Sequence, residues 1–208
     1  MKIAHRTILL ASGALGALAL LGGAAFLLRV PPFGQKGGIE ASEVCASLGT
    51  SSSAAEALRE VLPAESSYSF DDDVTSRVDA TDTGYESACF VSGGGEQLLV
   101  ADVRLMADEE EGSWTEWVRG TAASDASVTA LTPFPAGKKA VASGRFAAVF
   151  VPCTSAGHIP GGQYNLSVSV ELKKPGGAGA AANRAELIKL ATNAASFAHT
   201  EAKCDLAR

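Results

Sequence analysis

Hydrophobic and polar positions follow three different patterns along this chain. From Ile8 to Leu28 there is no charge, only 21 residues of Leu, Ala, Gly, Ile and Phe with a single Ser. As a helix this run spans roughly 31 Å, close to the ~30 Å hydrocarbon core of a bilayer. Further on, apolar residues alternate with polar ones. Tyr164, Leu166, Val168, Val170 and Leu172 are separated by Asn165, Ser167, Ser169 and Glu171, the signature of a strand with one buried face. Leu99, Ala101, Val103 and Leu105 alternate in the same way with Val100, Asp102 and Arg104. The third pattern is helical. Leu187, Leu190, Ala191, Ala194 and Ala198 share one helical face, widened by Ile188 and Phe197, after Asn183-x-x-Glu186.

These patterns predict two hairpins. Tyr85–Val91 and Gln97–Met106 flank the turn sequence Ser92-Gly93-Gly94-Gly95; Arg145–Cys153 is followed by Tyr164–Leu172. Helical stretches precede and follow each pair. Ser42 can cap a first turn carrying Val44, Cys45 and Leu48, broken at Gly49. Ser53-x-x-Glu56 has the capping-box pattern and opens a helix with Ala54, Ala55, Leu58, Val61 and Leu62, stopped by Pro63. Ser113-x-x-Glu116 opens another, covered by Trp114, Trp117 and Val118. Val30–Gly38 reads as a Pro/Gly linker, and Pro175–Ala182 as a plain linker before the last helix. The expected fold is α+β, an antiparallel sheet of two hairpins covered on one side by helices, preceded by one N-terminal transmembrane helix. The order helix, strand pair, helix, strand pair, helix also hints at a diverged duplication, with Cys89-Phe90-Val91 and Val149-Phe150-Val151 in matching places.

Charge sharpens the division of the chain. The net charge of −6 conceals a +4 segment, residues 1–38, with Lys2, Arg6, Arg29 and Lys36 and no acid; the other 13 basic residues face all 23 acids. The Ile8–Leu28 run has two readings. A cleaved signal peptide could end at Gly23-Ala24-Ala25, but apolar residues continue through Phe26, Leu27 and Leu28 to Arg29, which favours an uncleaved signal anchor. The expected organisation is therefore a cytoplasmic N-terminus at 1–7, a transmembrane anchor at 8–28, a linker at 29–38 and an extracytoplasmic domain at 39–208. The acidic domain excludes a nucleic-acid partner, which calls for a basic patch.

All four cysteines, Cys45, Cys89, Cys153 and Cys204, follow the anchor. An even, widely spaced set in an exported chain favours two disulfides over zinc, which wants short Cys pairs or nearby His. Of the three pairings, local order favours Cys45–Cys89 and Cys153–Cys204.

Candidate chemistry is sparse. Asp71-Asp72-Asp73, with Asp79 and Asp82, fails the calcium-loop spacing and reads as solvated loop charge. Asp108-Glu109-Glu110-Glu111 suits the start of the Ser113 helix. Ser155 and His158 share a loop and suggest a nucleophile and its base, but there is no G-x-S-x-G elbow and no carboxylate is assigned as the third member. His199 sits near the end of the last helix, where an imidazole meets free carbonyls. Ser92–Gly95 links two strands and is followed by Glu96, so it does not serve as a phosphate loop. Trp114 and Trp117, three apart, face the same way on a helix, as core or as an aromatic platform for glycan or peptide. Asn165-Leu166-Ser167 matches the N-glycosylation pattern within a strand.

The layout resembles the small exported proteins of high-GC actinobacteria. The resemblance rests on Ile8–Leu28, Cys45 in an early helix, Cys89 in Ser87-Ala88-Cys89-Phe90-Val91, and the Ala-rich last helix. It implies an envelope protein with one Cys-paired α+β domain and supplies no catalytic residues. The lipid-attachment Cys that many such proteins carry is missing here. The expectation is a single-pass, membrane-tethered extracytoplasmic domain with a non-catalytic binding or scaffolding role, acting on an envelope protein or glycan through Trp114, Trp117 or His158, with no cofactor and no metal. The rival readings are an envelope hydrolase assembled from distant residues and a small-ligand carrier with a pocket between sheet and helices.

Overall fold

The computed structural model describes residues 37–108, 111–122, 131–160 and 162–208. The Ile8–Leu28 segment, most of the 29–38 linker and Glu109-Glu110 lie outside them. Among the described residues no helix is long and apolar enough to cross a membrane. Residues 38–208 form one compact unit.

Its described residues are α+β: a seven-stranded antiparallel sheet with three α-helices. Helix α1 (Ser51–Val61) precedes β1 (Tyr68–Thr75), β2 (Glu86–Gly93) and β3 (Glu96–Ala107). Helix α2 (Glu111–Ala122) then leads to β4 (Thr132–Pro133), β5 (Lys139–Ala142), β6 (Phe146–Ile159) and β7 (Gly162–Leu172), and α3 (Ala180–Glu201) closes the fold. The spatial order is β1-β2-β3-β7-β6-β5-β4. Both expected hairpins are present. Gly94 and Gly95, at φ 59° and 81°, supply the left-handed pair that a two-residue β2–β3 turn demands. Antiparallel pairing of β3 with β7, Leu99 opposite Leu172 and Val103 opposite Val168, joins the hairpins into one sheet.

One face of the sheet carries the main core. Cys89, Val91, Leu99, Val168, Val170 and Leu172 are at most trace-exposed; those of β3 and β7 lie under α3, those of β2 beside a 3-10 turn at Ala46–Leu48, and α1 packs on α3. The Ala-rich side of α3 permits this close approach. At Gly49, φ 81°, a Cβ would lie 2.6 Å from the Asn193 carbonyl oxygen of α3, so only glycine fits. Helix α1 ends at Leu62, extended at φ −82° and ψ 149°, because Pro63 disfavours a helical residue before it.

The opposite face departs from the expected one-sided cover. Phe146–Val151 is buried without alternation, so both faces of β6 are covered. The second cover is α2, whose Trp114 and Val118 pack on Val141, Phe146, Ala148 and Phe150 in a separate apolar cluster. The strand order from β1 to β5 is symmetric about the β3–β7 boundary, matching β1–β3 with β5–β7. The helices do not share that symmetry, since α2 covers the face that α3 leaves.

Several local expectations need correction. Asp71-Asp72-Asp73 is strand β1, not loop, and Asp72 accepts hydrogen bonds from the Ala46 N–H (2.7 Å), the Ser47 N–H (3.3 Å) and the Ser47 hydroxyl, tying the edge strand to the 3-10 turn. The capping residues sit inside their helices. Helix α1 begins at Ser51, so Ser53 lies in the first turn and its hydroxyl accepts instead from Asn193 Nδ2 at 3.1 Å. Helix α3 begins at Ala180 with Gly179 as N-cap, so Asn183 lies a turn further in. Asn165 is fully buried and donates to Asp108, which removes it as a glycosylation acceptor in the folded domain.

Two disulfides close the fold, Cys45–Cys89 and Cys153–Cys204, the pairing favoured by local order. The first ties the 3-10 region to β2, the second ties the segment after α3 to β6.

Candidate functional site

The Ser155–His158 pair acquires a carboxylate that sequence spacing left unassigned. The Cys153–Cys204 bridge draws the chain after α3 against β6, where the N–H groups of Asp205 and Leu206 donate to the Cys153 carbonyl at 2.8 and 3.1 Å. Asp205 thereby reaches the β6–β7 tip. Its Oδ1 accepts from the Ser155 N–H at 3.0 Å, and its Oδ2 from the Ser155 hydroxyl at 2.5 Å. His158 Nδ1 lies 2.6 Å from Asp205 Oδ2 and 3.1 Å from Ser155 Oγ.

The residue types are those of a hydrolase, but the wiring is different. A relay places serine on one imidazole nitrogen and the acid on the other, so that a proton gained at one edge is balanced at the far edge. Here hydroxyl and carboxylate converge on the same nitrogen, and the Ser155 proton is already donated to Asp205. That hydroxyl bond is the main reason the Asp205 carboxyl is held below its ordinary value of 3.8, with the Ser155 N–H and nearby His158 acting in the same direction against partial desolvation. An acid stabilised in its charged form, gripping both backbone and side chain of Ser155, is a clamp on the hairpin tip. The His158 side chain stays 62% exposed.

The two tryptophans are divided by the structure. Trp114 is buried (1% exposed), its Nε1 donates to Ser167 Oγ at 3.0 Å, and its ring lies 5.3 Å from that of Phe150. Trp117 keeps 38% exposure on the same helix. Of the two, Trp117 is the one that can present an aromatic surface. His199 Nε2 meets the Leu206 carbonyl at 2.8 Å, a helix-end contact of the expected kind, although the acceptor lies beyond the helix. No cluster of three or more His, Cys, Asp and Glu that could hold a metal occurs among the described residues.

Among the described residues, cavities lie beside α3 on several sides, and two of them reach the sheet or its turns. One, of about 240 Å³, is walled by Val149, Val151, Ala136 and Ala195, with Thr192, Ser196 and Arg208 at its polar side. The other, of about 350 Å³, opens at the N-terminus of α3 between the β5–β6 turn (Ser143, Gly144, Arg145) and the Pro175–Ala180 segment, with Asn183 in its wall. Sequence reasoning passed over this second place by treating Pro175–Ala182 as a linker. The signal was present: Lys173-Lys174-Pro175-Gly176-Gly177-Ala178-Gly179 is a Gly-rich connection from a strand to a helix, the context in which backbone N–H groups gather around an anion.

No protein-family model, no curated protein and no solved structure matches this chain.

Proposed function

We propose that this protein is a disulfide-stapled binding or scaffolding module of the cell envelope, tethered by the Ile8–Leu28 segment with its C-terminal domain outside the cytoplasm. The carrying observation is the geometry at Ser155, His158 and Asp205, where the groups that chemistry would require are committed to holding a hairpin tip. Two disulfides support an oxidising location. The length and uniform apolarity of Ile8–Leu28 support the tether. Trp117 and the cavities beside α3 supply the surfaces for recognition.

The test has two parts. In intact cells a membrane-impermeant thiol reagent should label no cysteine until reductant is added, and the protein should stay with the membrane fraction. Rapid labelling without reductant refutes the oxidised, exported state. A hydrolytic activity of the purified chain that disappears in His158→Ala refutes the non-catalytic reading. A small-ligand carrier is the second reading, favoured by the 240 Å³ cavity between α3 and the sheet, whose volume suits a compact apolar molecule.

A further inference from the structure

We propose that the sheet face carrying α2 has a second seat, over β1, β2 and β3, which docks a basic amphipathic helix of a partner protein. The proposal rests on reading the domain as a binding module and assigns that module a partner chemistry. Strand register defines the seat. Asp71, Phe90 and Val100 lie opposite one another across β1, β2 and β3, and Asp73, Ala88 and Asp102 form the next row on the same face. The first row continues from Val100 through Glu171 of β7 to Phe146 of β6, which lies beneath α2. The two seats therefore share one face of the sheet.

Phe90 holds on β2 the place that Phe150 holds on β6. The strand order matches β2 with β6, and the sequence matches Cys89-Phe90-Val91 with Val149-Phe150-Val151. Phe150 is buried because the Trp114 ring of α2 lies 5.3 Å from it, and Trp114 donates to Ser167, the β7 neighbour of Phe150. The equivalent pair in the other half is Phe90 with its β3 neighbour Val100. Neither belongs to an apolar cluster of the domain, and both stay partly exposed, as does Ala88 beside them. An aromatic anchor from a second helix, set over Phe90 and Val100, would repeat the contact that Trp114 makes.

The dimensions suit a helix. Three strands about 4.8 Å apart make a floor roughly 10 Å wide between the outer strand axes, the width of one helix. Strand β2, with eight residues, runs for about 26 Å. That exceeds the roughly 18 Å covered by the twelve residues of α2.

Charge selects the occupant. In the covered half, Phe150 has Lys139 as its β5 neighbour, and the covering helix has two Glu and one Arg in its sequence. In the open half, Asp71 stands where Lys139 stands, so the complementary helix is basic. Asp71 and Asp73 are exposed and meet no cation among the described residues. Arg104 does not neutralise them, because it is already shared between Asp102 at 3.0 Å and Glu86 at 3.2 Å. A second copy of this chain fits poorly, since face-to-face pairing would set these carboxylates against their own kind. A helix with an aromatic and aliphatic stripe flanked by Lys or Arg meets both features of the seat.

The experiment titrates the purified full chain into a labelled peptide of about fourteen residues, long enough for a bound helix, at about 0.15 M salt. The peptide is an amphipathic sequence of Leu, Lys and Ala with one central Trp, and its partner peptide has Glu at every Lys. The Lys peptide should bind and shift the methyl signals of Ala88 and Val100, while those of Val103 and Val168 on the α3 face stay in place. The Glu peptide should not bind. Asp71→Asn with Asp73→Asn should weaken the Lys peptide at least about fivefold while Tm holds or rises. Phe90→Ala should weaken it at least about tenfold. Glu56→Gln with Glu60→Gln, on the exposed surface of α1, should change it less than about twofold. No binding of the Lys peptide at millimolar concentration, equal binding of the Glu peptide, or an equal loss in the Glu56 and Glu60 variant overturns the assignment. Self-association of the chain that Phe90→Ala abolishes overturns it too, in favour of a second copy. These failures leave the binding-module reading standing, because that reading falls only to the thiol-labelling and His158→Ala results.

Discussion

Replacing Trp114 by Ala should detach α2 while leaving most of the fold in place. The reasoning starts from the separate apolar cluster on the far face of the sheet, where Trp114 and Val118 are the helix residues meeting Val141, Phe146, Ala148 and Phe150. Truncating a fully buried Trp costs about 3–5 kcal/mol, and the Ser167 hydroxyl at 3.0 Å loses its donor in a site only 3% exposed. Twelve residues form a marginal helix without tertiary support. The loss therefore exceeds what α2 can absorb, and local release is easier than global unfolding, since the main core around α3 lies on the other face. The assay is hydrogen exchange. Amides within Glu111–Ala122 should exchange on the order of a hundredfold faster, taking 1.4 kcal/mol per factor of ten. Those of β3 and β7 away from the Ser167 contact should change far less. Trp117→Ala, at a site 38% exposed, is the control and should shift stability by no more than about 0.5 kcal/mol. Unchanged exchange over α2 in Trp114→Ala, or an equal effect of the two variants, would falsify this account of what holds the helix.

Other consequences can be measured on the same protein. Replacing Cys153 and Cys204 together by Ser opens a loop with a sequence separation of 51 residues, for which chain entropy sets a loss of about 4 kcal/mol in denaturant unfolding; an unchanged midpoint contradicts the stapling role. Asp205 has its carboxyl lowered from 3.8, so its clamp contributes fully above that value and is lost as pH falls through the lower folded value. Carbon NMR of the Asp205 carboxylate should titrate below 3.8, and Ser155→Ala should move the midpoint upward. Arg77, 6% exposed, donates from Nε to the Asp82 carbonyl at 2.7 Å, from its second nitrogen to Ala202 at 2.8 Å, and from its third to Ala80. Arg77→Met should cost about 1–3 kcal/mol, most of it from the buried Ala202 carbonyl at the end of α3, and thermal unfolding reads the loss.

How far the chain could be read in advance depended on the range of the forces involved. Strands β2, β3 and β7 and the Gly94-Gly95 turn were legible because period-two patterning and left-handed glycines are near-neighbour properties, and β6 was legible as a continuous apolar run. Strand β1 was not, because Asp71, Asp72 and Asp73 are poor strand formers alone and are held by pairing with Phe90, Cys89 and Ala88 of β2. The helix caps were misplaced by three or four residues for a related reason. Ser53 and Asn183 look like caps in isolation, but packing against Asn193 and the α3 cavity decides what their side chains meet.

By itself, then, the sequence determined the class of the protein: an apolar 21-residue segment ahead of an acidic α+β domain with four cysteines and two strongly patterned hairpins. Local order also favoured the observed cysteine pairing, since neighbouring segments of an antiparallel fold meet first. Tertiary structure alone decided that α2 crosses to the other face, that Asp205 arrives beside Ser155 and His158, and that a Gly-rich connection becomes the rim of a cavity at the start of α3. Each of these depends on contacts between residues distant in sequence, where burial and unsatisfied polar groups, not local periodicity, set the free energy.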